Sequence, residues 1–287
     1  MAPPFDVIAF GAAHIDTISR LHLPQTASSV PGETHTFAGG AAFNVARHMA
    51  AAGLRVALVT PSRDERVLAS AAEVGLRLVA ADRHGDRDPS YTAVLNERGD
   101  LVTACADMSA YDGLSTVGDA VGEYEDPTLL VADANLPAEG LRSISARFPS
   151  VPLAALAVSP TKVVRFVRMI DRLRVLFASH AEFAALRTAF ARDDDCGQLE
   201  RLSAVVTNGA DAIDVRDQGR FHSVPVPFAP VIDVTGAGDA LAAGTLVRLM
   251  RGNDLSCAVR RAVPLAQRMI GQRGPFSPFP ELLNAEP

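Results

Sequence analysis

Cysteine is scarce: Cys105, Cys196 and Cys257 lie far apart in 287 residues, with no CxxC pair and no histidine at ligand spacing. That pattern excludes a zinc site and a disulfide framework, and it leads us to expect a reduced, cytoplasmic protein. No apolar run reaches 18 residues, so no membrane-spanning helix is expected. The start, MAPPFDVIAFG, has no basic region and only a short apolar run, so it does not read as a signal peptide. Blocks of lysine and arginine are also missing, and the net charge is −6. Nucleic acid and anionic membrane are therefore poor partners, and an anionic ligand would need local attraction from backbone N–H groups, a metal or a few arginines. No GxxxxGK[ST] occurs, which excludes a P-loop enzyme. The glycine-rich stretch DVTGAGDALAAG (233–244) is not GxGxxG either, because position 241 is leucine, so a nicotinamide dehydrogenase is not expected.

What is present is a chain that is 48% hydrophobic, enough for one large α/β domain over residues 1–287. Short apolar runs at 6–10, 55–60, 76–81, 128–135, 151–158, 174–179 and 202–209 read as buried strands. Helical stretches separate them, among them AAFNVARHMAAAG ending at Gly53, RVLASAAEVG ending at Gly75, AEGLRSISARF, PTKVVRFVRMIDRL and HAEFAALRTAF. DAIDVRD and RFHSVPV suggest a hairpin, and two more helices are expected near the C-terminus, the second carrying Pro264. Alternating strands and helices imply a mostly parallel sheet covered on both faces. Two extended regions, 12–37 and 88–107, do not fit that alternation. The second reads as a hairpin, Tyr91 to Leu95 and Leu101 to Cys105 around NERGD, and together they suggest a small β-lid.

DVTGAGDALAAG sits at a loop-to-helix junction. Its glycines let the backbone approach a ligand closely, and the first helical turn offers free N–H groups and the positive end of the dipole. Asp239 would repel a bound phosphate if anion binding were the only task. It fits if it is a base that takes a proton from an attacking hydroxyl while the N–H groups hold the developing charge. The alternative is an ordinary helix-start residue, which the dipole also favours.

The same stretch resembles the C-terminal signature of the ribokinase-like (PfkB) carbohydrate kinase family, and the N-terminal half agrees through Asp16 and GGAAFNVARHMAAAGLRVALVT. The resemblance spans essentially the whole chain and implies a three-layer α/β/α fold with a mostly parallel central sheet and a β-lid over the acceptor site. It implies an ATP-dependent phosphotransferase, with Asp239 as the base and the backbone of Gly236, Ala237 and Gly238 as the anion hole. Asp16 and Asn44 would bind acceptor hydroxyls, with Gly39 and Gly40 permitting close approach. Tyr91, Asp107 and Asn135 would add acceptor contacts. Lys162, Ser179, Thr207, Gly209 and Thr235 would face the nucleotide. Glu182 would act on Mg2+ indirectly, and Asp233 would lie near a monovalent cation such as K+.

The middle of the chain, PSYTAVLNERGDLVTACADMSAYDGLS and LLVADANLP, is most similar to the pseudouridine kinase subgroup, which implies the 5′-hydroxyl of pseudouridine as acceptor. Ribose, fructose and adenosine remain alternative acceptors, and a catalytically weakened nucleoside- or sugar-binding member is a further reading. Lids of this family pair between subunits, so a homodimer through the lid is expected. The chain departs from the family pattern on the phosphate side. Ser179 stands in place of the asparagine of N-x-x-E, Leu156 and Ala157 stand in place of an Asp-Pro pair, and Gln267 and Arg268 replace small residues.

Overall fold

The computed structural model describes residues 5–25, 28–122, 124–191 and 196–284. Strand β1 (Val7–Phe10) leads out of the central sheet into β2 (His14–Leu21) and β3 (Gly32–Gly39), and α1 (Ala41–Ala51) returns the chain to β4 (Val56–Thr60). After α2 (Glu65–Ala72) and β5 (Arg77–Ala80), the strands β6 (Ser90–Leu95) and β7 (Leu101–Asp107) rejoin β2. The second half runs β8 (Leu129–Asp133), α3 (Ala138–Arg147), β9 (Leu153–Leu156), β10 (Leu173–Ser179), α4 (His180–Phe190), α5 (Cys196–Arg201) and β11 (Ala204–Thr207). It closes with β12 (Ile213–Asp217), β13 (Arg220–Val224), α6 (Ala237–Met250), α7 (Leu255–Ile270) and α8 (Pro280–Asn284).

The central sheet has the order β13-β12-β11-β10-β9-β8-β1-β4-β5 and is parallel except at β12 and β13, the expected hairpin. Its strands read as unbroken apolar runs because both faces are covered. Along β1, Val7 and Ala9 join a core with α1, α6 and α7, while Ile8 and Phe10 join the opposite core with α3 and α4. Leu129 and Val131 against Leu130 and Ala132 repeat this division in β8. These are the three layers of an α/β/α fold with a mostly parallel central sheet, as expected. The chain leaves β1 toward β4 on one side and builds β8 to β11 on the other, so direction switches between β1 and β8. Open α/β sheets bind ligands beyond the carboxyl ends of the strands at such a switch.

The extended regions that broke the alternation pair into a separate four-strand sheet, β3-β2-β6-β7. One expected helix is different. Residues 163–172 form 3-10 turns with a break at Met169 (φ −140°). Val163, Phe166, Met169 and Ile170 are the buried side chains there, the first three at the three-residue spacing that a 3-10 turn places on one face. Pro264 lies inside a continuous α7, with its ring exposed. No described helix is long and apolar enough to cross a membrane.

Candidate active site

The carboxyl ends of β9, β10 and β11 open onto a cavity of about 270 Å3, whose wall includes Leu156, Val158, Ser179, Glu182, Thr207 and Asp239. Asp239 reaches it from the first turn of α6. Gly236 precedes that helix with φ 79°, and a side chain there would run into the Pro275 carbonyl, so only glycine fits the entry. Of the three amides expected to form the anion hole, that of Ala237 already donates to the Val234 carbonyl at 3.3 Å. Gly238 is a first-turn residue whose amide has no intrahelical acceptor, and so is Asp239 itself.

Asp239 is held from α1. Asn44 Nδ2 donates to Asp239 Oδ2 at 2.7 Å, and Asn44 Oδ1 accepts from Arg47 Nη2 at 2.6 Å. Asn44 is 4% exposed, so it is no solvent-facing helix residue. The pair Gly39-Gly40 brings Asp16 alongside. A side chain at Gly39 would strike the Asp16 carboxylate, and Gly40 turns with φ 116° against the Ala12 carbonyl. Asp16 Oδ1 lies 3.0 Å from His14 Nε2, and Tyr91 is its register partner across β2 and β6. Burial, with the nearby Asp16 charge, raises the Tyr91 pKa. Burial also pushes the Asp239 pKa up to about 7, with Asp133 and Asp16 adding to the rise while the Asn44 hydrogen bond and the Arg47 charge oppose it. A carboxyl that titrates near neutrality suits a general base.

Asp133 organises this half, and sequence reasoning did not single it out. It is fully buried at the end of β8, where Oδ2 accepts from the amides of Ala12 (2.8 Å) and Ala42 (3.1 Å) and Oδ1 from that of Asn135 (2.9 Å). It thus caps α1, whose own N-cap, Gly40, has no side chain to do so. The Tyr111 hydroxyl accepts from the Ala13 amide at 2.9 Å beside it. The available signal was an aspartate inside the apolar run LLVADAN, and for Arg47 a cation three residues beyond Asn44 on the same helical face. Asn135 and Lys162 meet directly, with Lys162 Nζ donating to Asn135 Oδ1 at 2.6 Å. Desolvation lowers the Lys162 pKa, with the Asp133 charge opposing it.

The other wall is different in kind. Ser179 Oγ accepts from the Glu182 amide at 3.3 Å, and Glu182 Oε2 accepts from the Ser179 amide at 2.6 Å, a capping box that starts α4. Leu156 and Ala157 are buried, and Val158 holds φ 67°, which a β-branched residue rarely adopts. Thr207 lines the cavity, while Gly209 lies in the turn beyond it. Asp233 Oδ1 accepts from the Thr235 amide and hydroxyl (2.9 and 2.7 Å), and Oδ2 from the Gly274 amide (3.1 Å), so both side chains staple the loop before α6. Asp107 is likewise taken up by Ser109, whose hydroxyl donates to it at 2.7 Å. Gln267 Nε2 donates to the Pro227 carbonyl at 2.6 Å, and Arg268 stacks over Phe279.

A carboxylate at a helix N-terminus, beyond the carboxyl ends of a parallel sheet and beside a cavity, fits a phosphotransferase for small hydroxyl compounds. The pattern described as pfkB family carbohydrate kinase matches residues 5–282. The chain belongs to that family, whose members are ATP-dependent kinases acting on hydroxyl groups. It is 26% identical over 278 residues to pseudouridine kinase of Escherichia coli, covering 89% of this chain and 87% of the relative. It is 25% identical to cytidine kinase of Thermococcus kodakarensis, covering 95% and 98%. Among solved structures, a carbohydrate kinase from Agrobacterium tumefaciens superposes with a TM-score of 0.74 at 30% identity, covering 91% and 89%.

Proposed function

We propose that this kinase transfers the γ-phosphoryl group of ATP to the 5′-hydroxyl of a nucleoside, with pseudouridine as the preferred acceptor. The observation that carries the reading is the Asp239 carboxylate, held by Asn44, at the helix N-terminus facing the cavity. In this reading the acceptor lies between Asp239, Asp16 and Tyr91, under the four-strand sheet acting as a lid. Asp239 takes the hydroxyl proton as the oxygen attacks phosphorus. The first-turn amides of α6 stabilise charge on the transferring group, which is where phosphoryl transfer needs it. Lys162, tethered to Asn135, lends a positive charge on the same side.

ATP would enter along Ser179, Thr207 and the loop before α6. Mg2+, when bound, screens the phosphate charge. Among the described residues no cluster of three or more His, Cys, Asp or Glu is placed to hold a metal, so the nucleotide phosphates would carry the ion, with Glu182 reaching it through water. A K+ ion near Asp233 would rely on backbone carbonyls, since both oxygens of that carboxylate already accept hydrogen bonds. Support for pseudouridine comes from the resemblance of the hairpin region and from the E. coli relative. Homodimerisation through the lid belongs to the same proposal, and the exposed Leu101 and Val102 on edge strand β7 support it.

ADP release with pseudouridine, uridine, cytidine, adenosine, ribose and fructose tests the reading. We expect the highest kcat/KM for pseudouridine, and equal values across the panel would overturn the acceptor assignment. A second reading, a nucleoside-binding protein with weakened catalysis, rests on Leu156 and on the locked Ser179–Glu182 pair. It predicts saturable binding by calorimetry without magnesium-dependent ADP release.

A further inference from the structure

Arg47 plays no part in the scheme above, yet it is among the most enclosed charged side chains of the molecule, 3% exposed in the middle of α1. Its guanidinium lies between two rings, 4.3 Å from the centre of Phe43 and 4.2 Å from that of Phe276. Nη1 donates to Ser70 Oγ of α2 at 2.8 Å. Nη2 donates to the Ala38 carbonyl at 2.9 Å, one residue before the Gly39-Gly40 turn that ends β3, and to Asn44 Oδ1 at 2.6 Å. Burial lowers the Arg47 pKa to about 9, so the group stays protonated at neutral pH.

We infer that Arg47 is a positioning residue for phosphoryl transfer, fixing the Asn44 amide so that its N–H faces the Asp239 carboxylate and tying that arrangement to the end of lid strand β3. The logic is one of donors and acceptors. A guanidinium has five N–H donors and no acceptor, so the Asn44 atom that meets it must be the carbonyl oxygen. The amide nitrogen is then committed to the other side, where Asp239 Oδ2 lies 2.7 Å away. An N–H donated to a carboxylate favours its ionised form, the form a base needs. Without Arg47 the amide is free to flip, and its carbonyl would face the carboxylate and repel it. The Ala38 bond adds a mechanical link, because a displacement of β3 pulls on the group that orients Asn44.

The charged groups around the pair are few. Asp239 faces Asp16 of β2, Asp133 of β8 and Arg47 of α1, with Glu182 of α4 on the opposite wall of the cavity. Arg47 faces Asp239, Asp16 and Glu73, the residue just after α2, and the neighbouring His48 is kept neutral by burial, then by the Arg47 charge itself. None of these other groups donates a hydrogen bond to Asp239, so the Asn44 amide is the controlling contact.

The inference rests on the kinase reading, and a double-mutant cycle separates the two. Wild type, Arg47→Met, Asn44→Ala and the double variant are assayed for ADP release across pH. We expect Arg47→Met to lower kcat by about 10-fold to 100-fold, the scale of a misplaced reacting group. KM for the acceptor should change less, and the acid limb of the kcat profile should move to higher pH. In the Asn44→Ala background the same substitution should add almost nothing to the loss of kcat at the plateau, leaving only the shift of the acid limb caused by losing the Arg47 charge. Wild-type kcat and pH limb in Arg47→Met, or losses that simply add in the double variant, would overturn the inference. No turnover by wild type with any acceptor would overturn the kinase reading instead. If Arg47→Met fails to fold, Arg47→Lys carries the same cycle. Rescue gives a further check: a cavity of about 380 Å3 adjoins Arg47, lined in part by Thr36, Ser70 and Glu73. Added guanidinium ion should therefore restore turnover to Arg47→Ala, and no restoration at any concentration that spares the fold would count against the inference.

Discussion

The two walls of the cavity are built on opposite plans. On the acceptor side the polar side chains are bonded across the fold. Asn44 meets Asp239 from 195 residues away, and Asp133 receives Ala12 and Ala42 from 121 and 91 residues away. On the phosphate side most are bonded to near neighbours, Ser179 with Glu182, Asp233 with Thr235 and Asn208 with Asp211, and one longer bond runs from the Gly274 amide to Asp233. Long-range bonds hold the Asp239 carboxylate at a set position, and they loosen only if the packing of whole elements loosens. Local caps and turns leave a wall that a nucleotide can reorganise without disturbing the core. In the proposed mechanism the preorganised wall serves the proton transfer and the adaptable one the phosphates.

The largest test of that contrast is Asp239→Asn. It keeps size and shape but removes the base, and kcat should fall about 1000-fold, in the range of lost general base catalysis. Calorimetric nucleoside binding should survive, whereas an undiminished rate would place the chemistry on the other wall. Next is Asp133→Ala, which leaves the amides of Ala12, Ala42 and Asn135 without their acceptor. Urea unfolding should show a loss of about 3 kcal/mol or more, since each buried unsatisfied donor is costly. A loss no larger than that of a surface substitution would break the comparison. The smallest effect should come from Ser179→Ala, which removes one half of a capping box and should cost about 1 kcal/mol. Its pH profile should match wild type. A shifted profile would show that the two walls are coupled.

The same division explains what could be read in the sequence. The central sheet was legible because strands buried on both faces leave continuous apolar runs such as LLVAD and LAAL. Asp239, Gly39-Gly40 and Asn44 were legible as patterns within a few residues of one another. The capping box and the Asp233–Thr235 staple also lie within three residues in sequence, although both were read first as ligand contacts. Asp133 was missed because no spacing rule joins position 133 to 12 or 42, and Arg47 because its link to Asp239 runs through Asn44, whose own bond to Asp239 spans 195 residues. The 3-10 segment at 163–172 was missed because its buried positions, Val163, Phe166, Met169 and Ile170, also fit the spacing of an α-helix over so short a length.

The most direct test of the central claim, that Asp239 is the base, is the pH dependence of kcat/KM, which reports the free enzyme. Asp239 must lose its proton to act, and burial holds its pKa up at about 7. The rate should therefore rise with pH, about tenfold per unit below that value, and level off above it. The limb should vanish in Asp239→Asn, leaving a low rate that no longer changes across the same range. A wild-type rate indifferent to pH from about 5 to 9, or an identical limb in Asp239→Asn, would contradict the assignment of the base.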